Sequence, residues 1–398
     1  MFNWVTQIVA ITVMNLRSIP ARWGSSSVII VGIGGVVAVL VALLALANGF
    51  EATMANTGRD DRAVVMRGGA TSELTSTIDV RLADYISAMD GISKRDGKAL
   101  ASAEFFGVVD VPKQGAEPGM TANLPMRGLT ALGVSMRDQF QIIEGRMFEG
   151  GKRELVAGRA AATQFANLRV GDRIAFRDND WAVVGIFSSE GDANESEVWA
   201  DAPVVQSVFR GEGVYTSMRM QFDDPSSLDA YKQEIEDSPR LDLIVQPESE
   251  YYAAQSAGLT SLITQFGYSV AIIMAIGAIF GALNTMYTAV SSRNVEIATL
   301  RALGFSSGPV VMSVMVEALI LALLGGLIGG LIAWAVFSGA TVSTLNNSSF
   351  SQVSFDFQVS GELLIQGVVW ACLIGVIGGI FPAIRAARLP ISVALRGL

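Results

Sequence analysis

The sequence predicts a membrane protein: four transmembrane α-helices with a large α+β extracytoplasmic domain between the first and second spans. Three observations predict it. Four runs with at most one internal charge reach the ~20 residues that a helix needs to cross a bilayer. Arginines gather in the short flanks of these runs, as they do on the cytoplasmic side of membrane proteins. The roughly 215 residues between the first and second runs mix alternating and helical patterns. The composition, 51% apolar and 16% charged with a mean hydropathy of +0.44, is too apolar for an ordinary soluble domain.

Residues 1–27 read as a cytoplasmic amphipathic helix. Trp4, Ile8, Ile11 and Leu16 follow helical spacing, Pro20 marks a bend, and Trp23 stands where indoles favour the membrane edge. Residues 28–47 form the first span. Ala45-Leu46-Ala47 resembles a signal cleavage site, but the uncharged run is longer than the ~7–15 residues of a signal core, so it is read as an uncleaved anchor.

Residues 48–262 form the extracytoplasmic domain. Its strand candidates are Ala63–Met66, Ala103–Val111, Asp172–Phe176, Trp181–Phe187, Ser217–Phe222 and Leu241–Val245. Its helix candidates are Ile78–Met89, Arg159–Phe165 and Ser226–Ile235, the last opening after Pro225 and ending before Ser238-Pro239.

Residues 263–290 form the second span and 291–308 a short cytoplasmic helix. There Val295, Ala298, Leu300 and Leu303 leave Arg293, Glu296 and Arg301 for polar contacts, with Arg293 and Glu296 spaced to pair. Gly304 suits a helix stop and Pro309 the first turn of the next helix. Residues 309–337 form the third span and carry the one intramembrane charge, Glu317, roughly 12 Å along the helix at 1.5 Å per residue. Such a carboxylate is costly in lipid and is expected to bond a neighbouring helix or the preceding loop.

Residues 338–361 form a short outer loop, in which Phe355, Phe357 and Val359 suggest a strand and Asn346-Asn347-Ser348 matches a glycan acceptor triplet. Residues 362–385 form the fourth span and 386–398 a cytoplasmic tail. Small residues four apart, Gly277 and Gly281, Gly325 and Gly329, and Gly375 and Gly379, provide strips for helix packing.

Arg17, Arg22, Arg293, Arg301, Arg385, Arg388 and Arg396 against Glu296 leave the cytoplasmic flanks at +6 in a chain of net charge −9. Both termini and the middle loop are therefore placed inside. The acidic remainder argues against nucleic-acid binding.

Several chemistries are excluded. With no histidine and one cysteine, Cys372, the chain has no Ser-His-Asp or Cys-His catalysis, no internal disulfide and no multi-cysteine metal site. The nearest approach to a phosphate loop, Gly145 to Lys152, has the wrong spacing and ends in Lys152-Arg153. No cofactor is expected, and any ATP and Mg would be bound by a partner.

The run Arg293-Asn-Val-Glu296-Ile297-Ala-Thr-Leu300-Arg301-Ala302-Leu303-Gly304, then Glu317 and Gly325-Gly326, resembles the MacB/FtsX superfamily of ABC transporter permeases. So does the ending Gly379-Ile-Phe-Pro382-Ala383-Ile-Arg385-Ala386-Ala387-Arg388, with Pro390 and Ala394-Leu395-Arg396. Glu144-Gly145-Arg146-Met-Phe148, Val170-Gly171-Asp172, Trp181 to Gly185 and Asn48-Gly49-Phe50-Glu51 resemble the periplasmic core domain of MacB-like members.

The resemblance implies a bacterial inner-membrane permease that dimerises with a second copy or homologue and binds a separately encoded cytoplasmic ATPase. Arg293, Glu296, Ile297, Leu300, Arg301 and Gly304 would form the coupling helix. ATP-driven closure would be transmitted to the outer domain, driving export or extraction of a lipoprotein, lipid, peptide or drug, with a periplasmic adaptor or substrate protein as a further partner. The alternative within the same family is a scaffold relaying ATPase motion to a cell-wall hydrolase. A sensor without an ATPase is the rival outside it.

Overall fold

A computed structural model describes residues 4–17, 20–117, 119–137, 139–238, 240–346 and 349–388. Pro239, Asn347, Ser348, Pro390, Ala394, Leu395 and Arg396, named above, lie outside the described residues, as do the side chains of Trp4 and Leu16.

The chain opens with α1 (Trp4–Arg17), a 3-10 turn (Pro20–Arg22) and α2 (Trp23–Thr57), followed by β1 (Arg62–Arg67), a 3-10 turn (Glu73–Thr75), β2 (Ile78–Asp79) and α3 (Val80–Ser87). Then come β3 (Lys94–Arg95), β4 (Lys98–Ala99), β5 (Ala101–Pro112), β6 (Thr121–Leu129), α4 (Ala131–Ser135), β7 (Gln141–Gly145), β8 (Glu154–Gly158), α5 (Arg159–Gln164), β9 (Arg173–Phe176) and β10 (Asn179–Ser188). Next are β11 (Val198–Asp201), α6 (Ala202–Phe209), β12 (Val214–Tyr215), β13 (Ser217–Gln221), α7 (Pro225–Glu236) and β14 (Leu243–Pro247). The chain closes with α8 (Glu248–Ser291), α9 (Asn294–Ala302), α10 (Ser307–Phe337), β15 (Thr341–Asn346), β16 (Ser351–Asp356) and α11 (Gly361–Arg388).

These elements form two compact units. A helical unit comprises residues 1–48, 261–340 and 357–398; a sheet unit comprises residues 49–260 and 341–356. Among the described residues, α2, α8, α10 and α11 are long and apolar enough to cross a membrane. Two of them exceed the spans expected from the apolar runs. A helix does not stop where its apolar run stops; it continues until a breaker. For α2 the breaker is Gly58, where a Cβ would lie 2.6 Å from the Glu248 carbonyl oxygen. For α8 it is Pro247 at the N-terminal side, followed by Glu248 and Glu250, which favour a helix N-terminus.

In the helical unit, Gly34 of α2 meets α10 backbone to backbone: a Cβ on Gly329 would lie 2.2 Å from the Gly34 oxygen, and one on Gly325 2.9 Å from the Ile30 oxygen. α10 and α11 interlock where Gly326 faces Ala371, Gly375 faces Ala322 and Gly379 faces Ala318. Gly277 and Gly281, expected to pack in the same way, have nothing within 4 Å of their Cβ positions. They lie on α8 among the exposed Ile273, Ile276 and Phe280. Spacing creates a flat strip, but a partner must be available to fill it.

The sheet unit is built on a ten-stranded mixed sheet in the order β14-β1-β13-β5-β6-β11-β8-β10-β7, with β9 on β10. β6 and β11, and β8 and β10, pair in parallel. One core packs Phe176 on Trp181, with ring centroids 5.3 Å apart, beside Leu124 and Val198. A second packs Phe222 and Tyr231 beside Met220. α7 is capped by Asp224, which accepts from the Ser227 N–H at 2.9 Å, with Pro225 in its first turn.

Residues 338–361, read as a short outer loop with a strand about Phe355, Phe357 and Val359, contain the hairpin β15–β16, whose second strand includes Phe355 and ends at Asp356; the hairpin belongs to the sheet unit. There Phe355 contacts Phe50 at 5.3 Å and the Ser354 N–H donates to Ser196 Oγ at 2.9 Å.

Candidate functional site

The short helix α9 is set off by local chemistry at both ends. Before it, α8 ends at Ser291 and Arg293 takes φ −113°, ψ 12°, breaking the helix axis. After it, Gly304 adopts φ +96°, a left-handed conformation that glycine adopts without strain. The Gly304 N–H donates to the Arg301 oxygen and the Phe305 N–H to the Leu300 oxygen, both at 3.1 Å, which closes the helix with a Schellman motif. Pro309 falls in the first turn of α10, where no intrahelical N–H bond is required.

One face of α9 is committed to the chain. Ile297 and Ala298 are buried and Leu300 half-buried. Arg301 Nη1 donates to the Ala387 oxygen at 3.0 Å, satisfying a carbonyl in the last turn of α11. The opposite face is exposed. It carries Val295, Glu296, Thr299 and Leu303, with Leu303 73% exposed.

The expected Arg293–Glu296 pair does not form. Arg293 turns instead to α10, where its Nη2 and Nη1 reach Glu317 Oε1 and Oε2 at 3.2 and 3.3 Å. Arg22 Nη2 reaches the same Oε1 at 2.8 Å. A buried carboxylate in an apolar helix attracts whatever cation is within reach, because its alternative is an uncompensated charge; this outweighs a solvated i,i+3 pair worth a few tenths of a kcal/mol. One turn earlier on α10, Ser313 Oγ accepts from Asn15 Nδ2 of α1 at 2.5 Å. Ile11, Met14, Met286, Val290, Ile297 and Val314 enclose a small apolar crevice beside these polar contacts.

A second concentration of charge, missed in the sequence, lies in the sheet unit. Arg127 on β6 is 1% exposed and uses all five of its N–H donors. It gives two to Glu73 at 2.7 and 3.0 Å, two to Glu197 at 2.8 and 2.7 Å and one to Glu104 at 3.0 Å. Arg137 donates to both oxygens of Glu104, at 3.0 and 2.9 Å. Arg219 donates to Glu104 at 3.1 Å, to Tyr252 Oη at 3.0 Å and to Glu248. Burial works against ionisation of Glu73, but the nearby charges of Arg127 and Arg219 outweigh it and hold the carboxyl at about 2. The network therefore stays charged and ties β5, β6, β13 and the first turns of α8 together.

Next to it lies a polar cavity of about 270 Å³, lined among others by Thr57, Arg62, Arg137, Gln139, Asp192 and Glu248. Burial, with Glu197 and Glu195 nearby, pushes Asp192 up to about 7 against the donors Asn194 and Ser189. The folded state thus holds a proton that the unfolded state, at the ordinary 3.8, releases. Its contribution therefore falls as pH rises from about 4 to about 7, by on the order of 4 kcal/mol. Asp192→Asn is expected to raise the urea midpoint of the sheet unit at pH 8 while leaving it almost unchanged at pH 4, read by tryptophan fluorescence. Equal shifts at both pH values would contradict this assignment.

Among the described residues no group of three or more Cys, Asp or Glu side chains could hold a metal ion.

Comparison with known proteins places these features. Residues 26–238 match the MacB-like periplasmic core domain family and residues 268–391 the FtsX-like permease C-terminal family. An uncharacterized ABC transporter permease of Methanocaldococcus jannaschii is 27% identical over 266 residues, which is 65% of this chain and 66% of that protein. The macrolide export ATP-binding/permease protein MacB of Psychrobacter cryohalolentis is 33% identical over 134 residues, 34% of this chain and 18% of that protein. The chain therefore spans just under two thirds of the first relative and less than a fifth of the second. The periplasmic region of MacB from Actinobacillus actinomycetemcomitans aligns with a TM-score of 0.36 at 12% identity, covering 49% of this chain and 92% of that structure.

Proposed function

Because the chain belongs to the MacB/FtsX family of ABC transporter permeases, we propose that it receives motion from a cytoplasmic ABC ATPase on α9 and passes it to the sheet unit, as a mechanotransmitting subunit. The observation that carries this reading is the division of α9 into two faces. One is fastened to the chain through Arg293, Ile297, Leu300 and Arg301. The other is left bare with two apolar residues, Val295 and Leu303, beside Glu296. Fastening makes the helix a lever and the bare face gives a partner somewhere to press. Gly304 supplies the stiff stop between lever and third span.

In this reading α2, α8, α10 and α11 are four spans of a bacterial inner membrane. Both termini and α9 face the cytoplasm, where the arginine-rich flanks belong. The partner binds ATP and Mg. α2 and α8, which each contribute residues to both units, carry the displacement outward. The open strip of Gly277 and Gly281 faces lipid or a second permease copy. The work done outside is export or extraction of a substrate such as a lipoprotein, lipid, peptide or drug, assisted by an adaptor.

The test is capture of an ABC ATPase from native membranes by the tagged chain, with the ATPase identified by mass spectrometry. Glu296→Lys combined with Leu303→Glu is expected to lower its affinity about 30-fold, the equivalent of ~2 kcal/mol for an interface anchor. Undiminished capture would sink the assignment of this face. In a Cys372→Ser background, a cysteine at Ser226 should react with an impermeant reagent applied outside and one at Ser292 should not; the reverse pattern would invert the topology.

A further inference from the structure

Two bends in the helical unit converge on one carboxylate. The first is the 3-10 turn Pro20–Arg22 between α1 and α2. The second is Ser292–Arg293 between α8 and α9. Each bend sends one arginine to Glu317, which is 3% exposed: Arg22 at 2.8 Å and Arg293 at 3.2 Å, both to Oε1. The Asn15–Ser313 bond adds a second tie between α1 and α10, one turn away. Ile11 and Met14 of α1 line the same crevice as Ile297 and Leu300 of α9.

We propose that Glu317 is a positioning residue, a single pin that makes α1 move with α9. Displacement of the coupling helix then reaches α2 through the pin, as well as reaching α8 and α10 through the chain itself. Connectivity gives the pin its role. α1 and α9 are far apart in sequence. An apolar residue at position 317 could pack α10, but only a carboxylate collects both arginines. Two ties to one group cannot change independently, because moving either guanidinium leaves the other sharing an altered charge. The proposal takes from the proposed function only that α9 is the input; the pin itself is present without any ATPase.

The test reads the pin in the full chain alone. In a Cys372→Ser background reconstituted into lipid nanodiscs, spin labels at Val9 and Ala302 report the α1–α9 distance. Labels at Leu331 and Ile365, both exposed on α10 and α11, report the fold. The unaltered chain should give one narrow Val9–Ala302 distance. Glu317→Gln should abolish that single distance and leave the Leu331–Ile365 pair unchanged, and Glu317→Asp, which keeps the charge, should restore part of it. Arg22→Gln combined with Arg293→Gln should match Glu317→Gln rather than exceed it.

A Val9–Ala302 distribution unaffected by Glu317→Gln would overturn the proposal. So would equal broadening of the Leu331–Ile365 pair, which would make Glu317 a general folding residue. Neither result bears on ATPase capture by the outer face of α9, which stands or falls separately.

Discussion

Arg127→Gln is expected to destabilise the sheet unit by roughly 3–5 kcal/mol, the range found when one partner of a buried ion pair is removed. Three carboxylates, Glu73, Glu104 and Glu197, share this one guanidinium, and none is more than 7% exposed. Glutamine cannot replace five donors, nor can lysine, whose point charge lacks the planar fork. The residual partners are unequal. Glu104 keeps Arg137 and Arg219, Glu197 keeps the Trp199 Nε1–H at 2.8 Å, and Glu73 keeps Ser217 with Arg219 at 3.6 Å. Glu197, left with a single neutral donor, should suffer most, and Glu73 next.

The loss should carry a pH signature. In the unaltered protein Glu73 is held at about 2, below its ordinary 4.5, so its stabilisation is complete above 4.5 and is lost as pH falls towards 2. Without Arg127, burial dominates and moves the carboxyl upward, so the variant should gain stability relative to the unaltered chain as pH is lowered from about 8 to about 5. Trp181 and Trp199, both fully buried, provide the melting signal. Arg127→Leu combined with Glu73→Gln and Glu197→Gln should recover part of the loss, since removing both sides of a charged pair leaves no orphan. A neutral effect of Arg127→Gln at pH 8 would show that the network is not holding the sheet.

What was readable in the sequence follows the range of each interaction. The stop at Gly304 and the place of Pro309 in the first turn of α10 are local backbone chemistry, readable from spacing, although α10 itself begins at Ser307. β10 alternates visibly, so it was found. β6 was not, because Pro125, Arg127 and Gly128 interrupt its pattern; yet Arg127 is its central charge, and Gly128 is required where α6 crosses, with a Cβ there 2.9 Å from Ala202 Cα. The seven charged residues of the network stand from 23 to 115 positions apart where they hydrogen-bond, and no window of sequence holds them together. Their only trace is a charge set among apolar neighbours, Glu104 before Phe105-Phe106 and Arg219 between Met218 and Met220. Leu300 and Leu303 look equivalent on α9; one is half-buried and the other exposed only because Arg293 and Arg301 fix the rotation of the helix, each through a distant acceptor.

The glycine strips show the same limit and give the second large expected effect. Gly277, Gly281, Gly325 and Gly329 are indistinguishable by spacing, but substitution should separate them. A Cβ at Gly329 would stand 2.2 Å from the oxygen and 2.9 Å from the Cα of Gly34. The obstacle is helix backbone, which has no rotamer to change, so α2 and α10 must separate. Gly34 then loses its close approach to Gly325, whose oxygen would stand 3.1 Å from a Cβ on Gly34. Overpacking of this kind costs about 1–3 kcal/mol, and larger side chains widen the gap further. Gly329→Leu should therefore lower the temperature at which the detergent-solubilised chain loses its monodisperse elution profile, more than Gly329→Ala does. Gly277→Ala, where open space surrounds the added methyl, should leave the profile unmoved. Equal loss in Gly277→Ala and Gly329→Ala would mean that α8 is packed as closely as α10 is. A loss confined to Gly329 would establish the α2–α10 crossing as a close contact that holds the first long helix in the unit, beside the packing of Val37 and Val41 on Gly367 of α11.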